Sequence, residues 1–135
     1  MKDILTQGLA QLDITPPPEA IDRLCRYAQL LVEQNKVMNL TAITDPEGIA
    51  RLHFLDSAAL LPLCGGAAGK SLIDVGTGAG FPGLVLKILC PELKLTLLDS
   101  LGKRVNWLSQ VARELGLKDV TCLHARAEEQ ALVKG

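Results

Sequence analysis

Ten consecutive residues, Asp74-Val75-Gly76-Thr77-Gly78-Ala79-Gly80-Phe81-Pro82-Gly83, constrain this protein more than any other stretch. Glycines at a strand-to-helix turn let the backbone bend sharply and let a ligand approach without side-chain obstruction. The turn follows the short apolar run Ser71-Leu72-Ile73-Asp74-Val75, which reads as a buried strand. It precedes a helical stretch from Phe81 to Cys90, with Pro82 in the first turn and Pro91 as the stop. Leu93 to Leu98 reads as a second strand closed by Asp99-Ser100. Lys103 to Leu115 is a helix with Val105, Leu108, Ala112 and Leu115 on its core face and Gly116 as its C-terminal signal. A third strand starts at Val120. Strand and helix alternating over short loops predict a parallel α/β unit.

The preceding half has the helical period. Ile4, Leu5, Leu9 and Leu12 mark a first helix, ended before Pro16-Pro17-Pro18. From Glu19 to about Gln34, Ile21, Leu24, Cys25, Ala28, Leu31 and Val32 fall on one face, an amphipathic helix that needs a partner surface. After a polar connector from Asn35 to Thr44, Asp45-Pro46 opens another helix as N-cap and first-turn proline, running to about Leu61. The run Gly65-Gly66-Ala67-Ala68-Gly69 suits a linker. Residues 1–68 are therefore expected to form a helical region and residues 69–135 an α/β domain.

Charge narrows the partners. There are five basic and eight acidic side chains in residues 1–68, and nine and seven in residues 69–135, for a net charge of −1. Polyanion binders usually carry a stronger basic excess, so charge alone does not indicate nucleic acid. Apolar runs are broken well before the roughly 18 residues a membrane span needs, and no basic-then-apolar leader opens the sequence; a cytoplasmic protein is expected, with no membrane partner. The cysteines, Cys25, Cys64, Cys90 and Cys122, form no close pair, and the two histidines, His53 and His124, are far from one another in sequence, so no metal site is expected. Each sits in an apolar stretch and is expected to act as a small buried hydrophobe.

Two nucleotide ligands fit the glycine turn. Gly78, Gly80 and Gly83 satisfy the dinucleotide fingerprint G-x-G-x-x-G, the reading of an NAD-binding oxidoreductase. Gly76, Gly78 and Gly80 after Asp74 instead satisfy the acidic-x-G-x-G-x-G pattern of S-adenosylmethionine (SAM) sites. Asp74 ends its strand and would face the ligand's centre. Beside a pyrophosphate its charge is repulsive; beside the ammonium and sulfonium of SAM it is attractive. Pro82 also removes a helix-start N–H that a phosphate would use. Asp99, 23 residues after Gly76 and at the end of the next strand, can accept both hydroxyls of an adenosine ribose. A turn that merely packs helix on sheet needs neither carboxylate. No Gly-Lys-Ser/Thr follows, which excludes a P-loop.

The segments Asn35-Lys36-Val37-Met38-Asn39-Leu40-Thr41-Ala42-Ile43, His53-Phe54-Leu55-Asp56-Ser57 and Asp74 to Gly83 resemble the bacterial RsmG family. This is the small-subunit (16S) rRNA guanine-N7 methyltransferase family, also called glucose-inhibited division protein B. Leu97-Leu98-Asp99-Ser100 with Lys103-Arg104, and Arg126-Ala127-Glu128, match it too, so the resemblance runs in order from about residue 19 to the end. One departure is Gln34, where the family often has tryptophan. The resemblance implies a Rossmann-like class I SAM-dependent methyltransferase fold with an N-terminal helical region. It implies SAM at Gly76, Gly78, Gly80 and Phe81, Asp74 near the methionine end, Asp99 on the ribose, and Ala127 and Glu128 bordering the adenine. It also implies 16S rRNA, or the small ribosomal subunit, as partner. N7 of guanine carries a lone pair and no proton, so catalysis is expected to be positioning, with no catalytic acid or base side chain.

Three further expectations follow. His53, Asp56 and Ser57 stand at i, i+3 and i+4 and superficially resemble a hydrolase triad. A working triad takes its nucleophile from a strained turn and its partners from other elements, so a buried hydrogen-bonded cluster joining the two halves is expected instead. The Asn39-Leu40-Thr41 segment reads as a satisfied polar turn or an RNA contact, and Lys103 and Arg104 as solvated charges. Finally, a complete fold of this class has seven strands and this sequence supplies three. The sheet is therefore expected to be incomplete, the protein truncated at its C-terminus, and its activity reduced or absent. The first strand would then be an open edge, suited to self-association or to a non-catalytic binding role.

Overall fold

The computed structural model describes residues 1–64 and 70–125. Ala127, Glu128 and the glycine-alanine linker at 65–69 lie outside those residues. The three strands form as the apolar runs predict: β1 (Ser71–Val75), β2 (Lys94–Asp99) and β3 (Val120–His124) make a parallel sheet in the order β1-β2-β3. Leu72 stands opposite Leu95, and Leu95 opposite Val120. The crossovers are α5 (Gly83–Leu89) and α6 (Gly102–Glu114). Gly116 ends α6 with φ +69°, and the Leu117 N–H turns back to the Ala112 carbonyl at 2.9 Å, the left-handed glycine stop expected there.

The helical half comprises α1 (Lys2–Gln11), α2 (Ala20–Asn35) and a stretch opening with α3 (Pro46–Gly48). Asp45 caps that stretch, its carboxylate accepting the Gly48 N–H at 2.8 Å. The expected single helix to Leu61 is in fact three segments. A wider π-helical coil, Ile49–Leu55, follows α3 and gives way to α4 (Asp56–Ala58), before a short 3₁₀ turn at Leu61–Cys64. The wide coil buries Ile49, Ala50 and Phe54 together.

The apolar face of α2 is rotated from the expected one. Ala20, Leu24, Tyr27, Ala28 and Leu31 are buried, whereas Ile21, Cys25 and Val32 are only half-buried. The reason is Tyr27: the helix turns this aromatic toward the glycine turn, where it meets Phe54 and Phe81 with ring centroids 5.3 and 5.6 Å away. One hydrophobic cluster results, holding Leu5, Leu24, Leu31 and Phe54 together with Leu84, Ile88, Leu97 and Leu108. The described cysteines, Cys25, Cys90 and Cys122, are half-buried rather than fully so.

Lys87 is a charge inside this core. Only 1% exposed, its ammonium donates to the carbonyls of Pro91 and Leu93, both at 2.6 Å, and so pins the turn between α5 and β2. Burial pulls its pKa below the ordinary lysine value. β1 is less buried than its composition suggests. Leu72 packs inward, but Ile73 and Val75 are 40% and 52% exposed, because among the described residues nothing covers that face of the edge strand. No helix among the described residues is long and apolar enough to cross a membrane, and no three His, Cys, Asp or Glu side chains among them converge as a metal site would require.

Candidate cofactor-binding site

The turn after β1 is anchored from below. The N–H groups of Gly76 and Thr77 both donate to the Leu98 carbonyl, at 2.9 and 3.1 Å, and the Gly80 N–H closes the turn onto Thr77 at 3.0 Å. Its three glycines, equivalent in the sequence pattern, differ in kind here. Gly76, Gly78 and Gly80 all have positive φ, at +67°, +58° and +100°, where a side chain is strained. Among the described residues, a Cβ on Gly76 would meet nothing within 4 Å, and one on Gly78 would meet only the Arg104 guanidinium at 3.9 Å. These two residues border open space. A Cβ on Gly80 would collide with the Tyr27 hydroxyl, with Leu84 at 2.7 Å and with Leu108 at 3.1 Å. Gly80 is small because the helical half packs against it.

Two carboxylates bracket the turn. Asp74 Oδ2 accepts the Thr77 hydroxyl at 2.8 Å and the Gly83 N–H at 2.9 Å. Gly83 makes this contact possible, since a side chain there would strike Asp74 Oδ2 and Leu97. Asp74 is half-buried, and burial raises its pKa above the ordinary carboxylate value, against the lowering by its two hydrogen bonds. Asp99 is 3% exposed. Its Oδ2 accepts the Gly78 N–H and its Oδ1 the Leu101 N–H, both at 2.9 Å. Arg104 Nε lies 3.2 Å from Oδ1 as an ion pair, but without hydrogen-bond alignment, and that nitrogen is buried with no other partner. Arg104 is therefore not the solvated charge its place in the first turn of α6 suggests; Lys103 beside it is exposed.

The far end of the turn meets the helical half. The Tyr27 hydroxyl donates to the Ala79 carbonyl, and burial, reinforced by the nearby Asp74 charge, pushes its pKa well above the ordinary tyrosine value. Phe81 stacks on the His53 ring with centroids 4.5 Å apart and planes inclined by 13°. The expected cluster of His53 with Asp56 and Ser57 is replaced by this arrangement. His53 Nε2 shares a 2.7 Å hydrogen bond with the Thr41 hydroxyl, while Asp56 is exposed. Thr41 is itself held by the polar turn the sequence suggests, since Asn35 Oδ1 accepts the N–H groups of Leu40 and Thr41 at 2.7 and 2.9 Å. Burial lowers the His53 pKa below its ordinary value, which keeps the ring neutral at pH 7. Tyr27 carries no motif of its own and stands out in the sequence only as the single tyrosine, whereas Thr77 and Thr41 lie inside stretches that the sequence already singles out.

A wider groove of about 460 Å³ lies elsewhere, between α1, α2 and α3, lined by Met1, Val32, Pro46 and Ile49. Its one thiol, Cys25, has its pKa raised by burial and stays protonated.

The open flank of Gly76 and Gly78 gives a direct test. If it receives a ligand, Gly76→Ala places a methyl in free space at a strained φ. The expected result is a stability loss of only about 1 kcal/mol with a fall in ligand affinity of about tenfold or more. Calorimetric titration and thermal melting of one preparation read both numbers.

The surroundings of the turn suit SAM better than a dinucleotide. The Gly83 N–H at the start of α5 is already taken by Asp74, so a pyrophosphate would meet a carboxylate where it needs a donor. Comparison with known proteins points to a methyltransferase family. The family model described as rRNA small subunit methyltransferase G (GidB) matches residues 20–134. A ribosomal RNA small subunit methyltransferase G of Alkaliphilus metalliredigens is 48% identical over 128 residues, covering 95% of this chain and 54% of that protein. The protein of the same name from Clostridium botulinum is 51% identical over 129 residues, covering 96% and 54%, and that from Desulfitobacterium hafniense 50% over 121 residues, covering 90% and 49%. The chain spans about half the length of these curated relatives. With the glycine turn, its two carboxylates and a match over 20–134, the chain belongs to the GidB family, rRNA small subunit methyltransferase G.

Proposed function

We propose that these 135 residues form the SAM-binding part of a methyltransferase that modifies N7 of a guanine in 16S rRNA. The observation that supports it is the pairing of an open glycine flank at Gly76 and Gly78 with a half-buried carboxylate, Asp74, whose pKa is raised by burial. Asp74 Oδ2 holds Thr77 and Gly83, which leaves Oδ1 as the oxygen for the ammonium end of the cofactor. Asp99 holds the ribose. A carboxylate has about four acceptor positions; the N–H groups of Gly78 and Leu101 take two, and the Arg104 ion pair is the contact that yields. Gly80 and Phe81 keep the turn against the helical half; the family resemblance assigns the adenine to Ala127 and Glu128, which lie outside the described residues. Held there by Asp74 and Asp99, SAM would supply an electrophilic methyl for the N7 lone pair, chemistry that needs no proton transfer. The protein's own task is orientation and exclusion of water, for which a general base is unnecessary. No further catalytic side chain and no metal enter this reading. The guanine and the rRNA rest on the family; the charge arrangement argues for SAM independently.

The test is calorimetric titration of the 135-residue protein with S-adenosylhomocysteine and, separately, with NADH. One-to-one binding of S-adenosylhomocysteine with no response to NADH is expected. Saturable NADH binding, or no heat from S-adenosylhomocysteine in a protein that circular dichroism shows to be folded, overturns the reading.

A further inference from the structure

Beside the glycine turn, on the helical side of Phe81, lies a small open cavity of about 200 Å³. One wall is Phe81 and Pro82; the other is the π-helical coil, α4 and the turn after it, which present Leu52, Asp56 and Leu60. Ligand pockets for whole small molecules measure roughly 300–1,000 Å³, so this one has room for a single planar group. Its composition is unusual for solvent-facing surface. Leu52 and Leu60 are 60% and 39% exposed, four residues to either side of the exposed carboxylate of Asp56. Wide-coil helical segments of this kind occur frequently at functional sites. The stacked pair of Phe81 and His53 makes the floor rigid, because His53 is held at its other end by Thr41.

We infer that this cavity receives the target base itself, a guanine turned out of its stack, with Asp56 reading its Watson–Crick edge. The inference rests on the methyltransferase reading and deepens it. A base lifted from RNA offers two apolar faces and one polar edge, and proteins hold such bases by stacking them and bonding that edge. A single carboxylate needs two adjacent donors. Guanine presents them, N1–H and the 2-amino group, on its Watson–Crick edge. Adenine and cytosine set an acceptor nitrogen beside their amino group, and uracil flanks its one N–H with carbonyls; each turns a lone pair toward Asp56. N7 is on the opposite edge of guanine, so a base held this way keeps the reacting nitrogen unobstructed. Phe81 belongs both to the turn and to the wall of the cavity, so base and cofactor sites share one side chain.

The probe is guanosine 5′-monophosphate, with the adenosine and cytidine monophosphates as controls for phosphate binding. Leucine methyl resonances of the isotope-labelled protein are followed by NMR, and S-adenosylhomocysteine is titrated into the same sample. The guanine nucleotide is expected to shift the Leu52 and Leu60 methyls, and Asp56→Asn to weaken it about tenfold while leaving S-adenosylhomocysteine affinity unchanged. Asp56 is exposed, so the variant is expected to fold normally. No shift at about 10 mM nucleotide, equal shifts with all three nucleotides, or an unchanged response in Asp56→Asn overturns the assignment. Shifts that follow protein concentration instead mark contact with a second copy and overturn it as well. Binding of S-adenosylhomocysteine without a guanine response sinks the base site alone; failure of S-adenosylhomocysteine in the folded protein sinks the parent reading.

Discussion

Gly80→Ala is expected to destabilise the fold by about 3 kcal/mol or more, the largest effect of any single methyl added to the glycine turn. Two costs combine. At φ +100° an alanine is strained by about 1–3 kcal/mol, and its Cβ has no free volume, since the Tyr27 hydroxyl, Leu84 and Leu108 already fill that space. Forcing atoms into a packed core adds about 1–3 kcal/mol. Tyr27 cannot retreat easily, because its hydroxyl is bonded to the Ala79 carbonyl in the same turn and its ring packs against both Phe54 and Phe81. Urea titration checks the value. Tyr27→Phe in the Gly80→Ala background is expected to recover part of the loss, because it deletes the closest colliding atom. A double-mutant cycle would show this as coupling beyond about 0.5 kcal/mol. Additive effects would mean that the collision is relieved in some other way. Gly76→Ala is the contrast: one glycine is required by the protein's own packing, the other by what occupies the open side.

Asp74→Asn is expected to leave the fold nearly intact while lowering S-adenosylhomocysteine affinity at least about tenfold. The amide oxygen still accepts from Gly83 or Thr77, and the buried charge disappears. Since burial raises the pKa of Asp74 above its value in the unfolded protein, the folded state holds that proton more tightly. The stabilisation from protonation is present below the unfolded value and is lost as pH rises through the folded one. At neutral pH the ionised carboxylate is thus a cost to folding, and removing it is expected to change stability by less than about 1 kcal/mol. Binding runs the other way. The ligand's ammonium requires the charged form, so affinity in the parent protein is expected to fall as the pH drops through the Asp74 titration, with proton release on binding. Titrations at several pH values in buffers of different ionisation enthalpy measure that release. In Asp74→Asn this pH dependence should vanish. A variant that binds as tightly as the parent would show that Asp74 serves only to hold Thr77 and Gly83.

Much of this architecture is legible in the sequence because its signals are local. The apolar runs at 71–75 and 93–98, the left-handed stop at Gly116 and the cap at Asp45 each follow from the chemistry of a few neighbouring residues, and each stands where expected. The face of α2 is not legible in this way, because its period admits Ile21 and Cys25 as readily as Ala20 and Tyr27. Aromatic packing with Phe54 and Phe81, far away in sequence, makes the choice. Arg104 escapes sequence reasoning for a similar reason: a first-turn cation on a helix is ordinarily solvated, but here the end of the neighbouring strand sets Asp99 against it.

A glycine turn between two acidic strand ends is written into the order of the residues, and so is a charge that suits a cationic nucleotide better than a pyrophosphate. Spacing and charge belong to the polypeptide itself, and they survive any way of folding it. That Gly76 and Gly78 face open space while Gly80 faces Tyr27 is a product of tertiary packing. The same packing sets His53 on Phe81 and leaves Asp56 at the mouth of a cavity. Those outcomes depend on which surfaces meet between residues distant in sequence, more than fifty apart in the bond from Tyr27 to Ala79, and no local pattern encodes such a meeting.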